Sequence, residues 1–170
     1  MSIDFTVVCR WPLPPDWGPD LPFADLPFAV SVEPFDAWKA HTQADLAAQE
    51  AEGELDAKDL ELRSRLDDGG SFVVSLGCRA RAAELVDLCA QELVQRFGGF
   101  YYDDHSDALS PIFPGMGAAS AREVATTWRR LVADGALREH RLADQARRDW
   151  QEAASQDPAS FDRDNDWSDV

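Results

Sequence analysis

The chain has 170 residues, with 32 acidic side chains against 16 basic ones and a formal charge of −16. That length suits one domain able to bury a substantial core without covalent staples. The charge makes nucleic acid and anionic membranes poor partners, because both are bound through lysine and arginine neutralising phosphate. Its natural complement is a basic protein or a basic site.

The three cysteines, Cys9, Cys78 and Cys89, are odd in number and show no Cys-x-x-Cys spacing. This pattern argues for a reducing compartment and against both disulfides and zinc. No apolar run approaches membrane length, and the first residues lack the basic-then-apolar order of a signal peptide. The expected location is the cytoplasm.

Ile3, Phe5, Val7 and Cys9 alternate with Asp4, Thr6 and Val8, a period of two that predicts a first strand buried on one face. The proline-rich stretch from Trp11 to Pro19 forbids regular structure. It reads as an ordered surface loop pinned by Trp11 and Trp17, in preference to a docking segment of polyproline type. Phe28, Val30 and Val32 mark a second strand, and Pro34 suits the first position of a helix carrying Phe35, Trp38 and Leu46. Gly53 breaks that helix, and a second one, with Leu60, Leu62 and Leu66, starts near Asp56 and ends at Gly69-Gly70. The segment 16–68 is rich in acid, with Lys39, Lys58, Arg63 and Arg65 as its only bases. Such a run is usually a solvated helix face.

The clearest signal lies between residues 71 and 104. Phe72-Val73-Val74-Ser75-Leu76 is a short β-branched and aromatic run bounded by glycines. Leu85, Cys89, Leu93 and Phe97, beside Ala82, Val86, Ala90 and Val94, make the wide apolar face of a helix over about 80–97. Gly98-Gly99 stops the helix, and Phe100-Tyr101-Tyr102 returns as a strand. The predicted unit is a parallel, right-handed βαβ. In this reading helix termination accounts for the glycine pair on its own.

Beyond it, Ile112, Phe113 and Met116 predict a loop packed on the body. Ser120-Ala121-Arg122-Glu123 is a capping box. One helix is expected to end at Gly135, and a last one to run over about 136–153. This pair is locally basic and is expected to cradle the acidic helices within the molecule. From Ser155 the composition predicts a disordered acidic tail.

No Gly-x-Ser-x-Gly, P-loop or dinucleotide fingerprint occurs. The run from Asp162 to Ser168 mimics the start of a calcium loop but has Trp167 where the loop needs glycine. Asp103, Asp104, His105 and Asp107 follow a strand end, where ligands tend to bind in open α/β sheets. Carboxylates with an imidazole could hold a divalent cation. A hydrated or partner-facing loop is the preferred reading, because no second ligand cluster is visible.

The string from Glu92 to Asp104, a helix ending in Gly-Gly followed by an aromatic strand ending in Asp, resembles a pattern of small bacterial α+β proteins. Several of these are immunity proteins of polymorphic toxin and type VI secretion systems. The resemblance covers 72–107 and implies an acidic, non-enzymatic, cytoplasmic inhibitor that plugs a cognate toxin.

The expectation is therefore one α+β domain over 1–154 and a tail over 155–170. It has a sheet of about four strands containing the βαβ unit at 71–104, with helices mainly on one face. The function expected is an acidic inhibitor without cofactor, whose partner is a basic toxin. The alternatives are a metal-dependent hydrolase using Asp103, His105 and Asp107, and an acidic nucleic-acid mimic. The residues expected to meet the partner are Glu50, Glu52, Glu54, Asp56, Asp59 and Glu61, with Tyr102, Asp103, Asp104 and Asp107.

Overall fold

A computed structural model describes residues 2–17, 26, 28–79, 82–117 and 119–156. The chain divides into two compact units, Met1–Leu131 and Val132–Val170. Ser155 and Gln156 close the last helix. The rest of the expected tail lies outside the described residues.

The first unit is built on one antiparallel sheet. Its strands are β1 (Ser2–Cys9), β2 (Ala29–Pro34), β3 (Phe72–Arg79) and β4 (Gly99–Asp103), in the order β2-β3-β1-β4. β1 is central. Phe5 pairs with Leu76 of β3 and with Asp103 of β4. The Arg10 N–H donates to Gly98 O at 3.2 Å and the Asp104 N–H to Asp4 O at 3.1 Å. Even-numbered β1 residues thus bond towards β4, which leaves the odd-numbered ones for β3.

Because β3 and β4 are each antiparallel to β1, they run parallel to one another. The helix α3 (Ala83–Phe97) joins them. The expected βαβ unit is therefore present in split form, with β1 inserted between its strands. Sequence alone gave no reason to place the first strand inside a unit that begins some sixty residues later.

Alternation along the strands defines two apolar layers. Phe5, Val7, Cys9, Phe72, Val74, Leu76 and Cys78 face α3 and the first turns of α4, with Val86, Leu93, Phe97, Val124 and Trp128 fully buried. Val8, Val73 and Phe100 face the other way, onto α1 (Phe35–Glu52) and α2 (Ala57–Leu66), with Trp38, Leu46, Leu62 and Leu66. The α+β class and the four strands are as expected, but the helices divide between the two faces instead of gathering on one. Val73 and Val8 carry the reason. Both sit out of phase with the apolar alternation, and a strand apolar on both sides needs cover on both sides.

Several local expectations can be placed. Trp17 is buried against Phe72 and Phe97, with ring centroids 6.0 and 5.5 Å away. The Trp11 indole donates to Pro114 O at 3.2 Å, so both tryptophans of the proline segment are tied to the body. Gly53 takes a left-handed φ of 75° and ends α1, whose N-cap is Pro34. The capping box at Ser120 forms, with Glu123 N–H donating to the Ser120 hydroxyl and the Glu123 carboxylate accepting from Ser120 N–H. Of the apolar loop before it, Leu109 is buried and Phe113 packs on the core, while Ile112 and Met116 are exposed.

Two expectations are corrected. The pair of helices meeting at Gly135 is one helix, α4 (Ala121–Gln156). A glycine inside a helix costs only about 1 kcal/mol against alanine, and the flanking Ala, Leu, Arg and Glu are good helix formers. The first turns of α4, which include Arg122, Arg129 and Arg130, cover the face opposite α1 and α2. These arginines do not cradle the acidic helices.

Gly98-Gly99 also does more than stop a helix. A Cβ on Gly99, whose φ is 111°, would lie 1.9 Å from the backbone oxygen of Val8. Glycine is what lets β4 close onto the central strand. Gly99→Ala is expected to destabilise the protein by about 3 kcal/mol or more in urea unfolding. Gly53→Ala, with open space around its Cβ, is expected to cost only about 1 kcal/mol.

Candidate functional site

The acidic residues singled out in the sequence lie on α1, on α2 and at the exit of β4. α2 decides how they are arranged. Its first turn is fixed by a capping box in which the Asp59 N–H donates to Asp56 Oδ1 at 2.8 Å and the Asp56 N–H to Asp59 Oδ2 at 3.1 Å. Carboxylates at a helix N-terminus also complement its dipole. Two of the expected contact residues thus have structural duties.

The helix lays one stripe on the sheet: Lys58, Leu62, Arg65 and Leu66, spaced i, i+4, i+7, i+8. Lys58 Nζ donates to Asp103 O at 3.0 Å and stands 5.4 Å from the centroid of the Tyr102 ring. Arg65 Nη1 donates to Ser110 O at 2.5 Å, and its guanidinium lies 4.9 Å from the Phe100 ring centroid. These two cations tie α2 to β4 and to the turn behind it. They bring the first turn of α2 next to the β4 exit, so Asp59, Tyr102, Asp103 and Asp104 share one neighbourhood.

The remaining bases of the segment are used in the same way. Lys39 Nζ donates to Leu66 O at 2.9 Å and lies 3.6 Å from Asp67. Arg63 bridges to Glu50 through both nitrogens, at 3.0 and 3.2 Å, which joins α2 to α1. Arg65 also pairs with Glu61. In each pair the cation is the more buried partner. The exposed side-chain fractions are 27% for Lys39 against 82% for Asp67, 38% for Arg63 against 59% for Glu50, and 11% for Arg65 against 43% for Glu61. The acids stand outside and the bases inside.

Of the expected residues, Glu52, Glu54, Asp104 and Asp107 are exposed. Glu50 and Glu61 are exposed and paired, and Arg63 holds the Glu50 carboxyl below its ordinary range by hydrogen bonding and charge. Tyr102 is half-buried. Burial, with the charges of Asp104 and Asp59 adding to it, pushes its phenol up to about 12, against the hydrogen bond with Thr6. It is neutral at any physiological pH.

Asp103 spends its carboxylate on the local turn, accepting from the His105 N–H at 2.8 Å. Among the described residues, no three His, Cys, Asp or Glu side chains converge in a way that could hold a metal ion.

The sequence reading missed Lys58, Arg65 and Asp4. The i, i+4, i+7, i+8 stripe was the available signal for the first two, since it places both cations among the leucines. Asp4 enters only through strand pairing. Although Asp104 is exposed as a whole residue, partial desolvation of its carboxyl, and then the charge of Asp4, raise that carboxyl above its ordinary value, and Lys58 only partly offsets this. The chain matches no family model, no curated protein and no solved structure. No helix among the described residues is long and apolar enough to cross a membrane.

A carboxyl whose folded pKa is raised favours folding when protonated, and that contribution is lost as pH rises through the folded pKa. Ionised Asp104 is therefore a net burden at neutral pH. Asp104→Asn is expected to raise Tm at pH 7, and the gain should vanish near pH 3, below the ordinary carboxylate range of about 4. Thermal unfolding at both pH values checks this.

Proposed function

We propose that the protein is an acidic inhibitor of a basic protein, an immunity protein of the cytoplasm that neutralises a cognate bacterial toxin by covering its active site. The observation that carries the reading is the fate of the cations on α1 and α2. Lys39, Lys58 and Arg65 turn inward to backbone oxygens, and Arg63 is held by the Glu50 carboxylate. What faces water is a field of carboxylates spread over both helices and the β4 exit, in a chain of −16.

Such a surface can stand in for an anionic substrate. Carboxylates occupy the places where the toxin's site holds phosphate or another anion, and the long-range field speeds encounter. The rigid backing matters as much as the charge. α2 is capped, α1 and α2 are bridged by Glu50 and Arg63, and both are packed on the sheet, so little side-chain freedom in the supporting layer is lost on binding. The pairing of the aromatic strand with Asp103 and Asp104, on which the resemblance to toxin-immunity proteins rests, lies at the edge of this field.

The test is co-expression with the product of the gene immediately upstream, in a host which that product alone kills. Survival is expected, together with a complex whose association rate falls steeply with ionic strength. The triple change Glu52→Lys, Glu54→Lys, Asp107→Lys should slow association by about tenfold while leaving Tm nearly unchanged. Death of the host, or a complex indifferent to both salt and charge reversal, would sink the reading.

A further inference from the structure

The two edges of the sheet are treated differently. The outer edge of β4 is covered by the chain itself. Gly99 and Phe113 exchange both backbone hydrogen bonds at 2.8 Å. The Ser110 N–H donates to Tyr101 O at 2.9 Å, and the Ser110 hydroxyl accepts from the Tyr101 N–H at 2.7 Å. Natural sheets commonly mask an edge in this way. β2 is the other edge, and among the described residues no strand pairs with its outer side.

The register fixes which groups that side presents. Odd-numbered β1 residues bond to β3, so the even-numbered residues of β3 face β1 and its odd-numbered ones face β2. The Phe35 N–H donating to Ser71 O at 3.1 Å follows the same parity. Ala29, Ser31 and Glu33 are thus the β2 residues bonded to β3. Val30 and Val32 turn their N–H and C=O groups outward, while Pro34, the N-cap of α1, has no N–H to offer. β2 carries no lysine, and its edge-blunting residues, Glu33 and Pro34, stand together at its C-terminal end, which leaves the stretch from Ala29 to Val32 without one.

Beside this edge is a cavity of about 310 Å³, lined by Leu13, Trp17, Val32, Glu33, Pro34 and Phe72 among others. Its walls are apolar apart from Glu33 and Ser71. A row of backbone groups that no described strand pairs with, next to an apolar cavity, is the arrangement by which extended peptides are recognised. Main-chain bonds supply affinity, and a side-chain cavity supplies selectivity. The sign of the charge chooses the occupant. A second copy would bring another −16 to an edge that already carries Glu33, with exposed Asp36 just beyond it.

We propose that the outer edge of β2 receives an extended, basic segment of the partner protein as a fifth strand. One large apolar side chain of that segment fills the cavity at Trp17 and Phe72. Alternation then places its lysines or arginines on the face opposite that side chain. The positive charge of the segment rests on the proposed function, while the strand addition itself rests on the edge and the cavity.

The probe is the acetylated, amidated peptide Lys-Val-Lys-Phe-Lys-Val-Lys, with two versions N-methylated on alternate backbone nitrogens. All three have the same charge, but each methylated version cannot donate from one of its two edges. Calorimetry with the full chain should show binding of the parent peptide and about tenfold weaker binding of one methylated version. Amide exchange at Val30 and Val32 should slow when the parent peptide is bound. Val32→Pro removes an outward donor and should weaken the peptide by about tenfold. The exchange measurement on the native chain decides the matter if that variant fails to fold.

Equal binding of all three peptides, unchanged exchange at Val30 and Val32, or no binding at all would overturn the proposal. So would a concentration-dependent dimer in sedimentation that Val32→Pro abolishes, since a second copy would then hold the edge. None of these results touches survival in the co-expression test. Loss of survival with the peptide still bound at β2 would instead remove the toxin reading and leave the docking edge.

Discussion

The whole first unit hangs on β1 being bonded on both sides and buried on both faces. Val7, Val8 and Cys9 have essentially no exposure. Their side chains alternate between the α3 layer and the α1–α2 layer, so one strand joins two separate apolar cores. The same strand sets the directions of its neighbours. β3 and β4 run parallel because each opposes β1, and α3 is the crossover this demands. Gly99 is the steric condition for the arrangement, since any side chain there would strike the Val8 carbonyl.

Charge is distributed by the same logic of inside and outside. α2 reaches the sheet with two leucines and two cations on one stripe. The cations cover aromatic rings and satisfy carbonyls at the end of β4 and in the turn after it, which apolar side chains cannot do. Their acidic partners are left outward. The negative surface is therefore a by-product of how the second layer is attached as well as a feature of composition. A sequence with the same net charge but with its lysines outward would have the same long-range field and a mixed surface at contact range.

The legible parts of the sequence were those in which one local period dominates. The face of α3 carrying Cys89, Leu93 and Phe97, the Asp56 and Ser120 boundaries and the alternation in β1 all belong to that class. Strand order was not legible, because nothing in Ile3 to Cys9 says which strands will flank it. The two-faced burial was visible in Val8 and Val73, but only as single residues out of phase with a pattern. At the site, the acids were easy to name and their roles were not. Asp56, Asp59 and Asp103 look like Glu52 and Asp107 until caps and turns are placed. Lys58 and Arg65 escaped attention because a search for negative charge passes over the cations that organise it.

Cys9, Cys78 and Cys89 are all buried, and all belong to the layer between the sheet and α3. Burial raises the Cys9 thiol far above its ordinary value, and burial with the charge of Glu92 lifts Cys89 to about 12. The thiolate is the reactive form, so these sulfurs stay silent towards alkylating and oxidising agents while the layer is closed. The α1–α2 side has no sulfur among its buried residues. The molecule thus has a built-in gauge on one flank only. A thiol reagent would register the loosening of the α3 flank and remain blind to the lifting of the acidic helices.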